Sequence, residues 1–277
     1  MSNTTLILTF AFGVCWGFGG IFWGKSIAAV GMALGVSLLM GFINVFGALG
    51  PMVVKEPEKL LTTSGLTLIA AVVVMIIGIV IMATAGKKRE EELSTAGSSE
   101  SSKPSVPFVV GLFFCFLSGL LSAAVNFALH FGGDIADAAI QLGATQTSAN
   151  NAMWALVFTG NYLVNFIYAL YLMLKNKTTS LIFTNGTPMY WFWALFMGIA
   201  WPVGIMLMGI AATKMGDFGK YAAFPMMLLC AVLAGNLSGA MTGEWNGTSK
   251  KPKNIMLVGV CVLLIAFVIL GVSAKLG

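Results

Sequence analysis

Charged residues are scarce in this chain of 277 residues: Asp, Glu, Lys and Arg together make up 9% of it. A soluble domain has about 25% charged residues, because its surface faces water. Hydrophobic residues make up 58% of the chain, which is enough for roughly eight membrane spans of about 20 residues each. The composition therefore excludes a soluble enzyme, a nucleic-acid-binding module and a disordered regulator, and it predicts a polytopic membrane protein.

Residue types that bind metals or carry redox chemistry are also few. The chain has one histidine, and its four cysteines lie singly in apolar stretches, with no CxxC pair. Such cysteines are typical of small buried hydrophobic residues rather than of disulfides or metal ligands. The sequence therefore predicts no metal site and no cofactor. Because no catalytic dyad lies at membrane depth, we do not expect an enzyme.

Eight long apolar segments predict eight membrane-spanning helices. Each has about 20 residues or more, which suits a helix better than a barrel strand of about ten alternating residues. Since lipid offers the backbone no hydrogen bonds, the predicted fold is an all-α helical bundle. The predicted spans are 6–24, 33–54, 64–86, 107–129, 148–174, 190–212, 220–241 and 254–274. A short surface helix is predicted over 134–142.

A self-similarity at an offset of 185 residues predicts an internal duplication. The matching positions are 13–16 (GVCW) with 198–201 (GIAW), Gly24 with Gly209, and Gly31 with Gly216. The offset covers an odd number of helices, so the two copies would be inverted in the membrane, as in many secondary transporters. Two helices precede the Trp201 helix that have no counterpart before Trp16. We therefore expect an inverted 5+5-type repeat that lacks its first two helices.

The duplication predicts the domain organisation. The first repeat would occupy 1–86 with three helices, and the second 107–277 with five helices. Residues 87–106 are charged and Ser-rich, so we expect a flexible linker between the repeats. Ten Lys and Arg residues fall on the linker side of the membrane and five on the other. The linker is therefore predicted to be cytoplasmic, with both termini outside.

Polar side chains recur at helical spacing along three of the predicted spans. The stripes are Ser118, Ser122, Asn126 and His130; Asn151, Trp154, Phe158, Asn161, Asn165 and Tyr168; and Ser37 and Asn44. Polar groups are unfavourable in lipid, so these faces are expected to point into the bundle. Two interpretations stay open: a cavity that binds a substrate, or hydrogen bonds that hold the helices together without a ligand.

The chemistry of these side chains suits a neutral polyol. Asn both donates and accepts hydrogen bonds, as sugar hydroxyls require, and Trp stacks on the apolar face of a sugar ring. An anionic substrate would need Arg, and the only one, Arg89, lies in the predicted linker. The predicted substrate-binding residues are Trp16, Asn44, Asn126, Trp154, Asn161, Asn165 and Trp201.

Several ionisable residues lie at the predicted outer mouth of the bundle. His130 can change its charge near neutral pH, which makes it a candidate for proton coupling. Asp137 and Asp217 are further candidates. The alternative for all three is an interfacial or salt-bridging role at this mouth.

Three segments carry a family resemblance. They are 13–35, which contains GVCWGFG and GMALG, the region 118–143, and the loop 244–252 with its EWN and KKP sequences. These segments resemble the L-rhamnose–proton symporter family of the drug/metabolite transporter superfamily. The resemblance implies a ten-helix fold and uptake of a sugar with protons across a bacterial inner membrane. The chain departs from the family pattern at Gly133 and Ala136, where relatives carry Lys and His, so another deoxy sugar or facilitated diffusion stays open.

The predicted function is secondary active transport: uptake of a neutral sugar, L-rhamnose or a related deoxy sugar, with protons by alternating access. Its partners would be the sugar, the proton and the lipid bilayer, and no nucleic acid. Two alternatives are an exporter of another small metabolite from the same superfamily and a non-transporting or incomplete membrane protein that needs a partner. A homodimer is one way in which such a bundle would be completed.

Overall fold

A computed structural model describes residues 2–30, 32–95, 106–184, 187–216, 218–243 and 245–276. These residues form nine α-helices and two short 3-10 helices, Pro57–Leu61 and Thr179–Phe183. In chain order the α-helices are α1 (Asn3–Val30), α2 (Met32–Lys55), α3 (Thr63–Thr95), α4 (Phe108–Phe131), α5 (Gly133–Gln141), α6 (Asn150–Lys175), α7 (Thr187–Lys214), α8 (Gly219–Met241) and α9 (Lys250–Leu276).

Eight of these helices are long and apolar enough to cross a membrane. This confirms the eight predicted spans and the all-α polytopic class. The remaining helix, α5, has nine residues and confirms the predicted short helix after α4. It buries Ile135 and leaves Asp134 and Asp137 exposed, as expected for a helix that lies on the surface of the bundle. The inverted repeat itself stays a prediction.

The predicted linker is partly helical, which corrects the expectation of a flexible segment throughout 87–106. α3 continues beyond its apolar part to Thr95, because KKREEE (87–92) consists of good helix formers and Lys87 pairs with Glu91 at 3.9 Å. Glu92 adds a tertiary contact: its carboxylate accepts hydrogen bonds from the backbone N–H (2.7 Å) and the hydroxyl (2.6 Å) of Ser249, just before α9. Residues 96–105 lie outside the described residues.

α3 and α9 pack side by side over most of their length. Gly78 lets the side chain of Leu263 approach the α3 backbone, where an added Cβ would lie 2.6 Å from a Leu263 methyl carbon. At one end of the pair, the Ser64 hydroxyl donates to the Ser273 carbonyl (2.5 Å), and the Ser273 hydroxyl donates to the Ser64 carbonyl (2.9 Å). Together with the Glu92–Ser249 contact at the other end, these bonds join the two helices into one unit.

α1 lies against both α4 and α6, and glycines set the distance. A Cβ at Gly13 would collide with the Val157 carbonyl of α6, and a Cβ at Gly160 would lie 2.6 Å from a carbonyl oxygen of α1. On its other side, Gly19 faces α4, where an added Cβ would lie 2.5 Å from the Ser122 hydroxyl. Small residues let helix backbones approach, and such van der Waals contact is a main source of helix association in lipid.

α7 is covered much less than the other long helices. Every residue from 188 to 201 is exposed, on all sides of the helix, within the described part of the chain. Its second half does pack, since Ile205 and Met208 are buried in a cluster with residues of α4, α6 and α8. The first half of α7 therefore stands away from the rest of the bundle.

The tight contact at Gly13 predicts a large difference between two glycines of the same helix. Gly13→Leu should lower the free energy of unfolding by about 1–3 kcal/mol or more, because the new side chain meets the α6 backbone. Gly24→Leu is the matched control, since no described atom lies within 4 Å of a Cβ at Gly24, and it should change stability by at most about 0.5 kcal/mol. Thermal unfolding in detergent measures both, and equal effects would contradict this packing.

Candidate functional site

Three polar side chains from three helices are buried in one region of the bundle. Asn44 of α2, Asn126 of α4 and Trp154 of α6 are 2%, 1% and 1% exposed. We call these three residues the buried polar site. The hydrophobic cluster around it contains residues of α2, α4, α6, α7 and α8, so the site lies where helices from both ends of the sequence meet.

Glycine on α2 makes the space for the Asn126 amide. The Asn126 side-chain nitrogen lies 2.5 Å from where a Cβ of Gly47 would be, and the Phe224 ring lies 3.9 Å from the same point. Asn44 is about one turn before Gly47 on α2, and its amide nitrogen donates to the Met40 carbonyl at 2.7 Å. The two amides thus share one neighbourhood on neighbouring helices.

Several buried polar atoms have no hydrogen-bond partner among the described residues. They are Oδ1 and Nδ2 of Asn126, Oδ1 of Asn44, Nε1 of Trp154 and Oγ1 of Thr9 on α1. An unsatisfied buried polar atom is unfavourable by about 1–3 kcal/mol, and native interiors contain few of them. Amide and indole groups that point at no protein partner provide both donors and acceptors for a hydroxylated ligand. These atoms are therefore the candidates for hydrogen bonds to a hydroxylated ligand, which is the first of the two interpretations of the polar stripes.

Ser118 and Ser122, on the same stripe of α4, support the other interpretation, in which polar side chains hold neighbouring helices together. The Ser118 hydroxyl donates to the Gly19 carbonyl of α1 at 2.8 Å, and Ser122 lies against Gly19 as well. One helix face therefore holds α1 in place at Ser118, and about two turns later, at Asn126, it carries an amide that has no hydrogen-bond partner within the described ranges.

Aromatic rings lead from α1 to the buried polar site. The Trp16 and Phe158 ring centroids are 5.9 Å apart, and those of Phe158 and Trp154 are 5.8 Å apart. A row of aromatic faces is a suitable surface for the apolar side of a sugar ring.

Asn161 and Asn165 lie further along α6, outside the buried polar site. They are half-buried and about 10 and 17 Å from Trp154 along the helix axis. The Asn165 amide nitrogen donates to the Asn161 carbonyl at 3.0 Å. The structure therefore brings both amides to the groove between α1 and α6 rather than next to Asn126.

Trp201 is not brought to the site. It is 47% exposed and lies in the uncovered stretch of α7. Trp16, at the matching position of the predicted repeat, packs on Phe158 instead. The sequence motif is the same around both tryptophans, but α1 has covering helices on this side and α7 has none among the described residues.

A charged cluster lies one helical turn beyond Asn126, and we define it as Lys55, Glu56, Lys59, His130 and Tyr221. His130 follows Asn126 by about 6 Å along α4, and its ring lies on that of Tyr221 with centroids 4.6 Å apart. The Tyr221 hydroxyl donates to the Glu56 carboxylate at 2.9 Å.

Two lysines complete this cluster. The Lys59 ammonium pairs with the Glu56 carboxylate at 2.5 Å. The Lys55 ammonium donates to the His130 backbone carbonyl at 3.1 Å and lies 4.2 Å from the centre of the Phe131 ring. The end of α2, the end of α4 and the start of α8 are thereby connected through polar contacts.

The three predicted proton-coupling residues do not lie together. His130 belongs to the charged cluster. Asp137 is exposed on α5 and is not part of it, although its neighbour Asp134 accepts a hydrogen bond from the Thr5 hydroxyl at 3.2 Å. Asp217 lies outside the described residues. Within the described ranges, no group of three or more His, Cys, Asp or Glu side chains is placed to hold a metal ion.

Glu56, Tyr221 and Thr9 are among the residues that were not candidates in the sequence. Glu56 and Tyr221 are 165 positions apart in the chain, so only the fold pairs them. Thr9 could have been identified from the sequence, because Thr5, Thr9, Gly13 and Gly17 recur every four residues along α1. All four are buried.

Comparison with known proteins gives a family for the whole chain. A family model described as L-rhamnose-proton symport protein matches residues 1–275. The L-rhamnose-proton symporter of Klebsiella pneumoniae (strain 342) is 25% identical over 283 aligned residues, which cover 98% of this chain and 79% of that relative. The L-rhamnose-proton symporter of Yersinia pestis (strain Pestoides F) is 26% identical over 280 residues, with the same coverage. No solved structure matches this chain significantly.

Proposed function

The chain belongs to the L-rhamnose-proton symport protein family, and on this premise we propose that it takes up a neutral deoxy sugar together with protons. L-rhamnose is the first candidate, because it is the sugar in the names of the relatives. The observation that carries the proposal is the buried polar site. Both amide atoms of Asn126, Oδ1 of Asn44 and Nε1 of Trp154 have no hydrogen-bond partner among the described residues, and they lie beside aromatic rings, which matches the two kinds of surface on a sugar.

The sugar hydroxyls bind the two amides and the indole N–H. Asn126 offers a donor and an acceptor, Asn44 a second acceptor through Oδ1, and Trp154 a donor through Nε1. The apolar face of the ring packs on the row formed by Trp16, Phe158 and Trp154. Asn161 and Asn165 lie along the groove between α1 and α6 and line the path of the sugar rather than its binding site.

Proton coupling takes place in the charged cluster, with Glu56 as the proton acceptor beside His130. The ionised carboxylate accepts the Tyr221 hydroxyl and pairs with Lys59, and protonation weakens both interactions. Tyr221 is about one turn before Phe224, which faces Gly47 and the Asn126 amide. A change at Glu56 therefore reaches the sugar site through α8. Protons drive uptake only if they bind the outward and inward states with different affinity.

The protein lies in the inner membrane of a bacterium, with the Lys87 end of the bundle in the cytoplasm. The excess of Lys and Arg at that end supports this orientation. The charged cluster then faces outside, so that an entering proton meets Glu56 before it reaches the sugar site. Transport by this route requires no catalytic step, which agrees with a family of transporters rather than enzymes.

Purified protein in liposomes should accumulate labelled L-rhamnose above the external concentration when the pH outside is lower than inside. The gradient supplies the driving force, so the level should fall to simple equilibrium when a protonophore is added. Liposomes without protein are the control. Uptake that is equal with and without the gradient would contradict proton coupling, and uptake no greater than in empty liposomes would contradict the sugar assignment.

A substitution of Asn126 distinguishes a role in sugar binding from a role in helix packing. Asn126→Leu should weaken L-rhamnose binding by roughly 10- to 100-fold, since the hydrogen bonds of one polar group are worth about 1–3 kcal/mol. Its free energy of unfolding should change by at most about 1 kcal/mol, because the amide has no hydrogen bond to a described residue that would be lost. Ser118→Ala is the control, with unchanged sugar affinity and a lower stability. The reverse pattern would show that Asn126 is structural.

Removing the charge of Glu56 should uncouple sugar movement from protons. With Glu56→Gln, liposomes should no longer accumulate L-rhamnose against its gradient, whereas exchange of labelled for unlabelled sugar should continue. Glu58→Gln, two residues away at an exposed position, should behave as the unmodified protein. Normal accumulation by Glu56→Gln would exclude Glu56 and leave His130 as the acceptor.

A further inference from the structure

A groove opens between α2 and α3 in the half of the bundle near Lys87. In the other half the two helices pack against each other, where Ala48, Met52, Leu68 and Val72 are buried in one hydrophobic cluster. Beyond this contact the helices separate and leave a space of about 540 Å³ between them. No residue of the buried polar site or of the charged cluster lines this space, so it is a separate feature of the bundle.

The walls of the groove are apolar, and a single charge marks one end. Phe42 and Val45 of α2 and Val80 of α3 are among the lining residues, and Lys87 is the only charged residue in the described part of the lining. The Thr84 hydroxyl, also in the wall, donates to the Val80 carbonyl of its own helix at 2.9 Å. Walls of this kind suit a hydrocarbon chain, because a hydroxylated ligand would lose its hydrogen bonds to water along most of the groove.

The groove is about as deep as one leaflet of a membrane. Its α3 wall runs from Ile76 to Lys87, a rise of about 16 Å, and half of the hydrocarbon core is about 15 Å thick. The apolar segment 64–86 of α3 has its middle at Met75. Ile76 therefore lies near the membrane centre, and Lys87 lies where the lipid headgroups begin.

The charges at this end of α3 follow in a defined order. The basic residues 87–89 come directly after the apolar segment, and the acidic residues 90–92 lie about one turn further from the membrane. Lys87 is exposed, and its ammonium is 3.9 Å from the Glu91 carboxylate, a surface pair that contributes little. The start of α9, with three lysines in 250–253, is held beside this end of α3. An anion at the level of the headgroups therefore meets basic residues before it meets carboxylates.

We propose that this groove binds a phospholipid with an anionic headgroup, with one acyl chain between α2 and α3 and the phosphate at the Lys87 ammonium. Basic residues at the cytoplasmic ends of membrane helices attract anionic lipids in this way. A zwitterionic lipid has the same acyl chains, but its headgroup also carries a cation, which the lysines repel. The proposal is independent of which substrate the protein transports.

Native mass spectrometry of the purified chain measures the headgroup preference, with added phosphatidylglycerol or with phosphatidylcholine of the same acyl chains. The unmodified chain should bind phosphatidylglycerol about fivefold more tightly, since one lysine near a membrane surface contributes roughly that factor. Lys87→Gln should abolish the preference. Lys175→Gln, at the end of α6 on the same predicted side of the membrane, is the matched control and should keep it. Equal binding of the two lipids by the unmodified chain, or equal preferences in the two variants, would overturn the proposal.

A second variant fills the groove and leaves the charge in place. No described atom lies within 4 Å of a Cβ at Gly41, in the α2 wall, so the side chain of Gly41→Leu projects into the groove. It should weaken the binding of both lipids by roughly tenfold, because the leucine takes the place of about two methylene groups of the acyl chain. Gly271→Leu on α9, an equally open position, should change neither affinity. Equal unfolding temperatures without added lipid verify that both variants fold, and an unchanged affinity of Gly41→Leu would exclude the groove as the site.

Photo-labelling locates the lipid on the unmodified chain. Phosphatidylglycerol with a diazirine in its acyl chain, as a minor component of phosphatidylcholine vesicles, should label 38–45 and 76–84 more strongly than Leu264 and Val268, two exposed positions of α9. A benzophenone amino acid in place of Val80 should form lipid adducts. Equal labelling of the groove and of α9 would mean that the lipid only surrounds the protein, and a chain-to-chain adduct at Val80 would assign the groove to a second copy. Either result would overturn the proposal.

Discussion

The arrangement of this bundle depends on the close approach of α1 to α4 and α6. In a bilayer the lipid tails are as apolar as leucine, so contact between helices is stabilised by packing rather than by exclusion of water. Gly13, Gly160 and Gly19 give that contact its short distance. Because α1 fits between its neighbours, Trp16 reaches Phe158, and α4 is held by the bond from Ser118 to Gly19. The position of Asn126 on α4 follows from this fit.

The buried polar site and the charged cluster are close together and differ in the kind of side chain that they contain. The buried polar site contains neutral groups, some of whose atoms have no hydrogen-bond partner in the described part of the chain, and the charged cluster contains groups that interact with each other. They are separated by one turn of α4 and one turn of α8. A neutral ligand and a proton would therefore be bound by neighbouring turns of the same helices, which is a short route for coupling them.

The sequence was sufficient to predict the membrane-spanning helices, but it predicted the residues of the candidate site only in part. Hydropathy predicted all eight spans, because the length of an apolar run is set by the membrane. It missed the extension of α3 to Thr95, which depends on helix propensity and on the contact of Glu92 with Ser249. Ser118 and Asn126 look alike in a helical stripe, and their difference arises from what the neighbouring helices place opposite them. Likewise, Trp16 and Trp201 share a motif, but helices from elsewhere in the chain determine which of them is covered.

The paired hydrogen bonds at both ends of α3 and α9 have a mechanical consequence. Ser64 with Ser273 and Glu92 with Ser249 prevent one helix from sliding along the other, and the long apolar contact between them resists separation. In any rocking motion that opens first one mouth and then the other, α3 and α9 move as a single rigid strut. Pro51, Pro202 and Pro225 lie inside α2, α7 and α8, where each proline removes one backbone hydrogen bond, so these three helices resist bending less than the joined pair does.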